Sequence, residues 1–182
     1  MHMATRRPRT RPWTRADLER LPDDGNRYEV LNGELLVTPQ ATLAHQRIAL
    51  RIARILDAHC TLHGIGIVAS PGAVIFGDNE LQPDVEVIPG ADHPMEARWQ
   101  DVPYPILVVE VLSGSTRTRD FGKKRTAYID IGTPEYWIVD GRARTITVWR
   151  PDASPEMISD VIRWRPAGGG IELSLPLSDV FG

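Results

Sequence analysis

The feature that most constrains this chain is the apolar, β-branched run at residues 106–112, Ile-Leu-Val-Val-Glu-Val-Leu, with a carboxylate inside it. A short apolar run of this kind reads as a buried strand. An unpaired Glu110 on such a strand would cost several kcal/mol or surrender its charge. A small polar turn follows at 113–118, and then a helix over about 120–131, stopped by Gly132 and Pro134. At about 100° per residue, Phe121, Ala127, Tyr128 and Ile131 form one apolar stripe with Lys124 near its middle. Lys123 and Thr126 point away toward solvent, and Arg125 sits at the stripe's edge. A lysine inside a buried stripe needs an acidic partner or a task. Asp120, four residues earlier, offers a local partner.

The rest of the chain sets bounds on that pair of misplaced charges. Its 182 residues are expected to form a flexible basic arm (1–15) and a single domain (16–182). The 42% hydrophobic and 25% charged fractions are those of a soluble globular protein. No run approaches the roughly 18–20 apolar residues of a membrane span, so no membrane association is expected. An apolar leader is absent as well, which argues against secretion. One cysteine, Cys60, excludes an internal disulfide and fits a reducing cytoplasm; its simplest role is a small buried hydrophobe on a helix. The net charge of −3 is unlike that of a strong, constitutive nucleic-acid binder. Arg6, Arg7, Arg9, Arg11 and Arg15 nevertheless form a basic arm that either tracks phosphates or solubilises the terminus.

Along the chain, Thr14 and Asp17 read as the cap and third residue of a short helix through Leu21. Tyr28–Val37 reads as a β-hairpin, because Asn32-Gly33 supplies the two positive-φ residues of a type I′ turn. A helix over about 42–62 carries Leu43, Ala44, Ile48, Ile52, Ile55 and Leu56 at helical spacing, with Arg47, Arg51 and Arg54 on a solvated face. His45 in its first turn reads as a neutral imidazole or a surface residue. Strands are expected at 65–69, 73–76, 84–88 and 106–112, then 135–140, 145–150, 161–165 and 171–175, with a short final turn or helix to Phe181. Residues 91–104 form an irregular polar loop. This order gives an α/β (α+β) domain built on a central mixed sheet.

The constellation with the most chemistry is Asp84 at the start of one strand, Glu110 inside the next, and Lys124 on the following helix. Two carboxylates brought to one point offer hard oxygens to Mg²⁺ or Mn²⁺, which keep waters and engage phosphates. A lysine beside them can position or deprotonate a water, or stabilise charge developing on a phosphate oxygen. The structural alternative is a buried Glu110–Lys124 ion pair with Asp84 as a strand cap; such pairs stabilise weakly. Glu86 shares a strand face with Asp84 and is either an outer ligand or, more simply, an exposed charge. Ser113, Ser115 and Thr116 can bond phosphate or merely cap the turn. Trp137, Trp149 and Trp164 on strands read as core or interface. Neither a phosphate-binding loop, a dinucleotide fingerprint, a zinc-type Cys/His cluster nor a serine nucleophile motif occurs, so no organic cofactor is expected.

These residues are similar to those of a known family. Pro83-Asp84, Glu110-Val111-Leu112-Ser113, Ser115-Thr116, Asp120, Lys124, Tyr128 and Glu135–Asp140 resemble the Uma-type restriction endonuclease family, a branch of the PD-(D/E)xK nuclease superfamily. Arg27-Tyr28-Glu29, Gly33-Glu34 and His45-Gln46 extend the resemblance, which spans about 27–150. It implies a restriction-endonuclease-like fold, a central mixed sheet flanked by helices, and metal-dependent hydrolysis of DNA without a covalent intermediate. Carried over, Asp84 and Glu110 become metal ligands, the Val111 carbonyl a third, and Lys124 the lysine near the attacking water. The chain departs from the parent motif at Leu112, two after Glu110, where a lysine would stand; the resemblance implies that this lysine has moved to Lys124. Glu34, His45, Asp120, Tyr128 and Ser113 are further candidates for the site, and Arg6, Arg7, Arg9 and Arg11 for nucleic acid. A homodimer is expected by analogy. The competing expectation is a binding or assembly module that keeps this fold and cuts little.

Overall fold

The computed structural model describes residues 11–90, 93–94, 96–113 and 120–182. Two layers of strands carry the fold. The hairpin of β1 (Arg27–Leu31) and β2 (Glu34–Thr38) turns on Asn32 (φ 50°) and Gly33 (φ 78°), as Asn-Gly expects. It joins β4 (Val74–Phe76) and β5 (Asn79–Leu81) in a four-stranded antiparallel sheet of order β2-β1-β5-β4. The larger sheet has the order β10-β9-β8-β7-β6-β3, built from β3 (Gly66–Ala69), β6 (Val85–Pro89), β7 (Leu107–Val111), β8 (Tyr136–Asp140), β9 (Thr145–Trp149) and β10 (Glu156–Ile158). It is mixed: β7 and β8 run parallel and the remaining neighbours antiparallel. The parallel pair is the one whose connection contains a helix, as a crossover requires. A third ladder pairs β11 (Val161–Trp164) with β12 (Leu173–Pro176), and the chain ends in a short helix.

The period of two along the strands divides the large sheet's faces. Val85, Val87, Leu107, Val109, Trp137, Val139, Ile146 and Val148 enter one core with α1 (Leu43–His63), β11, β12 and the terminal helix. Val108, Tyr136 and Ile138 enter a second core with Leu31, Leu36, Val74 and Leu81 of the smaller sheet. Glu29 shares its strand parity with Leu31, and Glu110 shares its parity with Val108. Both acids therefore belong to the second layer.

α1 begins at Thr42, whose hydroxyl accepts the His45 N–H, and ends at Gly64 in the left-handed conformation (φ 62°). Its buried residues are Ala49, Ile52, Ala53, Leu56 and Cys60, with Ile48 and Ile55 half-buried. This corrects the expected stripe, because Leu43 is 77% exposed and Ala44 is exposed. The small Ala49 and Ala53 let the helix approach the sheet, so the buried face turns toward them. Arg51, expected in solvent, donates to the Val180 carbonyl at 3.0 Å. The helix expected over 120–131 also differs. Asp120–Lys124 form one wide π turn, and the α-helix proper, α2, is Arg125–Asp130. Gly122 lies in that turn, where it weakens the tighter α ladder.

Other strands lie where the alternation places them, within a residue or two. The three-residue β5 and β10 have too little sequence to show a period and were not expected. The first short helix is 3₁₀, Arg15–Arg20, and another 3₁₀ turn, Trp99–Asp101, interrupts the irregular loop. Helix α3 (Leu177–Phe181) closes on α1. Among the described residues, no helix is long and apolar enough to cross a membrane.

Candidate active site

Asp84 lies immediately before β6. Antiparallel register pairs Val85 with Val109, and one further step sets Asp84 opposite Glu110 on β7. Side chains so opposed share one side of the sheet with Cβ atoms roughly 5 Å apart. Backbone contacts lock the arrangement: the Val111 N–H donates to Asp84 Oδ2 at 2.8 Å, and Ser70 Oγ donates to the Asp84 carbonyl at 2.8 Å.

Asp84 has two further partners. Arg27 Nη1, from β1, donates to Oδ1 at 2.9 Å. His45 Nε2, from the first turn of α1, lies 3.1 Å from Oδ2 and 2.9 Å from the Val111 carbonyl oxygen. Burial alone would raise the Asp84 pKa, but the His45 hydrogen bond and the Arg27 charge outweigh it and hold the carboxyl below its ordinary range. Burial likewise works against a charged His45, and the bond to Asp84 more than compensates, so its pKa is raised. Arg27 is held even more firmly in its charged form, against its burial, by Glu110, Asp84 and Glu29.

Behind this lies a second cluster. Lys124 is 2% exposed, and its Nζ stands 2.9 Å from Glu110 Oε1 and 2.8 Å from Glu29 Oε1. Tyr128 OH donates to the same Glu110 oxygen at 3.3 Å, and the Gln82 N–H donates to Glu29 at 2.8 Å. One turn of helix separates Lys124 from Tyr128, so both reach the same acid. Burial, followed by the charges of Glu110 and Glu29, raises the Tyr128 pKa, keeping the phenol a donor.

A cleft of about 1050 Å³ opens beside Asp84, between the first half of α1, the segments after β2 and β7, and the Asp140–Arg142 turn. Arg27, His45, Asp84, Val111 and Ser113 line it, whereas Glu29, Glu110 and Lys124 do not. Asp84, Glu29 and Glu110 set three carboxylates against the Arg27 and Lys124 cations, and His45 adds a third cation when protonated. Among the described residues, Glu29 Oε2, Arg27 Nε and His45 Nδ1 are buried without a hydrogen-bond partner. No group of three or more His, Cys, Asp or Glu side chains among the described residues is placed to hold a metal ion. The donors that converge, Asp84 Oδ2 and the Val111 carbonyl with Glu110 adjacent, are hard oxygens of the kind a cation that keeps several waters takes.

The remaining candidates are placed as follows. Glu34 is exposed and pairs with Lys123, away from Lys124. The Asp120 side chain and Arg6, Arg7 and Arg9 lie outside the described residues, as do Ser115 and Thr116. Arg11 is described, and its guanidinium grips the buried Asp17 at 2.7 and 3.1 Å. Glu86, read as an exposed charge, is instead 1% exposed. Its Oε1 accepts the Ala73 N–H at 3.0 Å, but burial pushes its pKa up to about 7. Here the sheet's second face is covered by the Gly72–Ala73 segment that leads into β4, which the sequence did not place over it. Trp137 and Trp164 are core; Trp149 is half-buried, with the Arg125 guanidinium 4.4 Å over its ring. Periodicity and spacing did not single out two residues of the site, Arg27 and Glu29. Glu29 carried the same signal as Glu110, an acid sharing a strand face with an apolar neighbour, Leu31.

Among solved structures, the chain is similar to a protein from Anabaena variabilis ATCC 29413 described as "a putative nuclease belonging to DUF820". The two share 19% identity with a TM-score of 0.75, over 93% of this chain and 98% of the other. At that identity the likeness shows the fold: the mixed sheet flanked by helices is that of a nuclease-like relative. No curated protein matches the chain. The sequence profile of the Uma2 family, described as "Putative restriction endonuclease", matches residues 15–177, and the chain belongs to that family.

Proposed function

We propose that this protein is an endonuclease that hydrolyses DNA phosphodiester bonds with a divalent metal ion, Mg²⁺ or Mn²⁺, through Asp84, Glu110 and Lys124. The observation that carries this reading is the register that sets Asp84 opposite Glu110, with the Val111 carbonyl beside them and the Lys124 ammonium on Glu110. Asp84, Glu110 and the Val111 carbonyl would hold the ion, which would supply Lewis-acid polarisation of the phosphate and an activated water. Asp84, open to the cleft, is the acid through which the ion enters. Lys124, between two carboxylates, acts as a fixed ammonium that compensates negative charge near the phosphate, not as a base. Glu29 orients that ammonium, and Tyr128 orients the Glu110 carboxylate it pairs with. An arm carrying Arg6, Arg7 and Arg9 ahead of a 16–182 domain would add phosphate contacts, and a homodimer would present two sites to two strands. Cys60, buried with its thiol pushed up to about 11, is inert and suits a cytoplasmic protein.

The test is plasmid nicking with Mg²⁺ or Mn²⁺. Asp84→Asn, Glu110→Gln and Lys124→Ala should each lower the rate by at least about 10²-fold, and Lys123→Ala should not. Cutting that survives in Asp84→Asn and Lys124→Ala would overturn the assignment. A second reading, a nuclease-fold module that binds but cuts little, draws on the closure of Lys124 against Glu29 and Glu110 away from the cleft. Absence of Mn²⁺ binding by calorimetry would favour it.

A further inference from the structure

His45 Nε2 stands at the point where two candidate ligand oxygens of the site converge. It is 3.1 Å from Asp84 Oδ2 and 2.9 Å from the Val111 carbonyl oxygen, both assigned above to the metal ion. An ion engaging both oxygens at about 2.0–2.6 Å must meet this nitrogen. The ring is poorly placed to leave. Its residue sits on the first turn of a 21-residue helix, its own N–H is held by the Thr42 cap at 3.3 Å, and its side chain is 11% exposed. With the proton on Nε2, the ring faces two oxygens that can only accept. In the other tautomer, with the proton on Nδ1, Nε2 offers a lone pair to the same point.

We propose that His45 ligates the metal ion through Nε2, beside Asp84 and the Val111 carbonyl, making a mixed nitrogen–oxygen site that prefers transition-metal ions to Mg²⁺. The inference rests on the nuclease reading above and specifies the ion that reading requires. All-oxygen sites suit Mg²⁺; adding an imidazole moves the balance toward Mn²⁺ and further toward Co²⁺, which bind nitrogen better. His45 Nδ1 is buried and, among the described residues, has no hydrogen-bond partner. The imidazole thus lacks the outer hydrogen bond that usually strengthens such a ligand, an absence associated with roughly 10–100-fold weaker metal binding.

The experiment is Mn²⁺ binding to the full chain, followed by calorimetry and by electron spin-echo spectroscopy, which detects nitrogen coupled to the ion. Wild type should show nitrogen modulation, and His45→Ala should lose it. Mn²⁺ affinity should fall at least about tenfold in His45→Ala, with a smaller fall for Mg²⁺, so that the Mn²⁺/Mg²⁺ ratio shrinks. The wild-type spectrum needs no variant, so misfolding of His45→Ala cannot hide the answer. Asp84-dependent Mn²⁺ binding without nitrogen coupling would overturn the His45 assignment and leave the nuclease reading standing. The His45 assignment also falls if His45→Ala binds Mn²⁺ as tightly as wild type. Mn²⁺ binding that is absent, or indifferent to Asp84→Asn, would overturn both.

Discussion

Asp84 and Glu110 face each other across adjacent strands, yet their surroundings are opposite in kind. Asp84 borders the cleft, and its partners, Arg27 and His45, also line it. Glu110 is 1% exposed, and its ammonium partner Lys124 is sealed with it and shared with Glu29. Water and ligands can replace the contacts of the first acid, so it is suited to exchange. The second acid belongs to a permanent charge network in which removing one member strands the others. Glu86 is a third case, since among the described residues it has a backbone N–H but no cation. Three carboxylates on one face thus show how pairing and water access, not burial alone, decide what a charge can do.

The largest effect should come from the sealed network. Lys124→Met should cost about 3–5 kcal/mol in urea unfolding, because two buried carboxylates lose their shared cation. A cost below about 1 kcal/mol would show that water reaches the network.

Glu86 should behave in reverse. Below pH 4.5 it is protonated in both folded and unfolded chains. Between 4.5 and about 7 the unfolded chain releases the proton while the folded chain keeps it, so stability falls as pH rises through this window and levels off above it. Glu86→Gln should abolish that fall and raise stability at pH 8 by up to about 3 kcal/mol. Parallel pH profiles of the two proteins would contradict this.

Arg27→Ala should cost about 1–2 kcal/mol, the expense of leaving Asp84 one donor short with water at hand. A loss matching that of Lys124→Met would erase the distinction between the open and the sealed acid. The smallest change belongs to Lys123→Ala, whose partner Glu34 is as exposed as itself. Its unfolding free energy should move by less than about 1 kcal/mol, and a larger shift would mean that this surface pair is coupled to Lys124.

The charges were legible where local periodicity met a chemical contradiction. Glu110 interrupts a β-branched run, and Lys124 sits in an apolar helical stripe; each contradiction is visible within a dozen residues. The same rule applied to Glu29 would have exposed it, since Leu31 shares its face. Arg27 gave no such sign, because an arginine at a strand's start is an ordinary surface residue until β1 is laid beside Asp84. Glu86 was misread because alternation tells which face a residue occupies, not what covers that face. Leu43 was misread because helical spacing defines a stripe without saying where along it the packing partner ends.

Most of the elements and their order were settled by the chain's own residues: the Asn-Gly hairpin, the helix over about 42–62, the strands flanking Asp84 and Glu110, and the family to which those motifs belong. These follow from short-range physics, in which side-chain period, caps and positive-φ residues act over a few neighbours. Tertiary structure decided which charges meet. Arg27, Glu29, His45, Asp84, Glu110 and Lys124 come from five elements or their edges, and a separation of 95 residues in sequence becomes 2.8 Å between Glu29 and Lys124. Electrostatic pairing acts on distance and dielectric, and both exist only after the sheets have stacked. Lys124 therefore entered as a lysine in the wrong place and is now the shared cation of two acids.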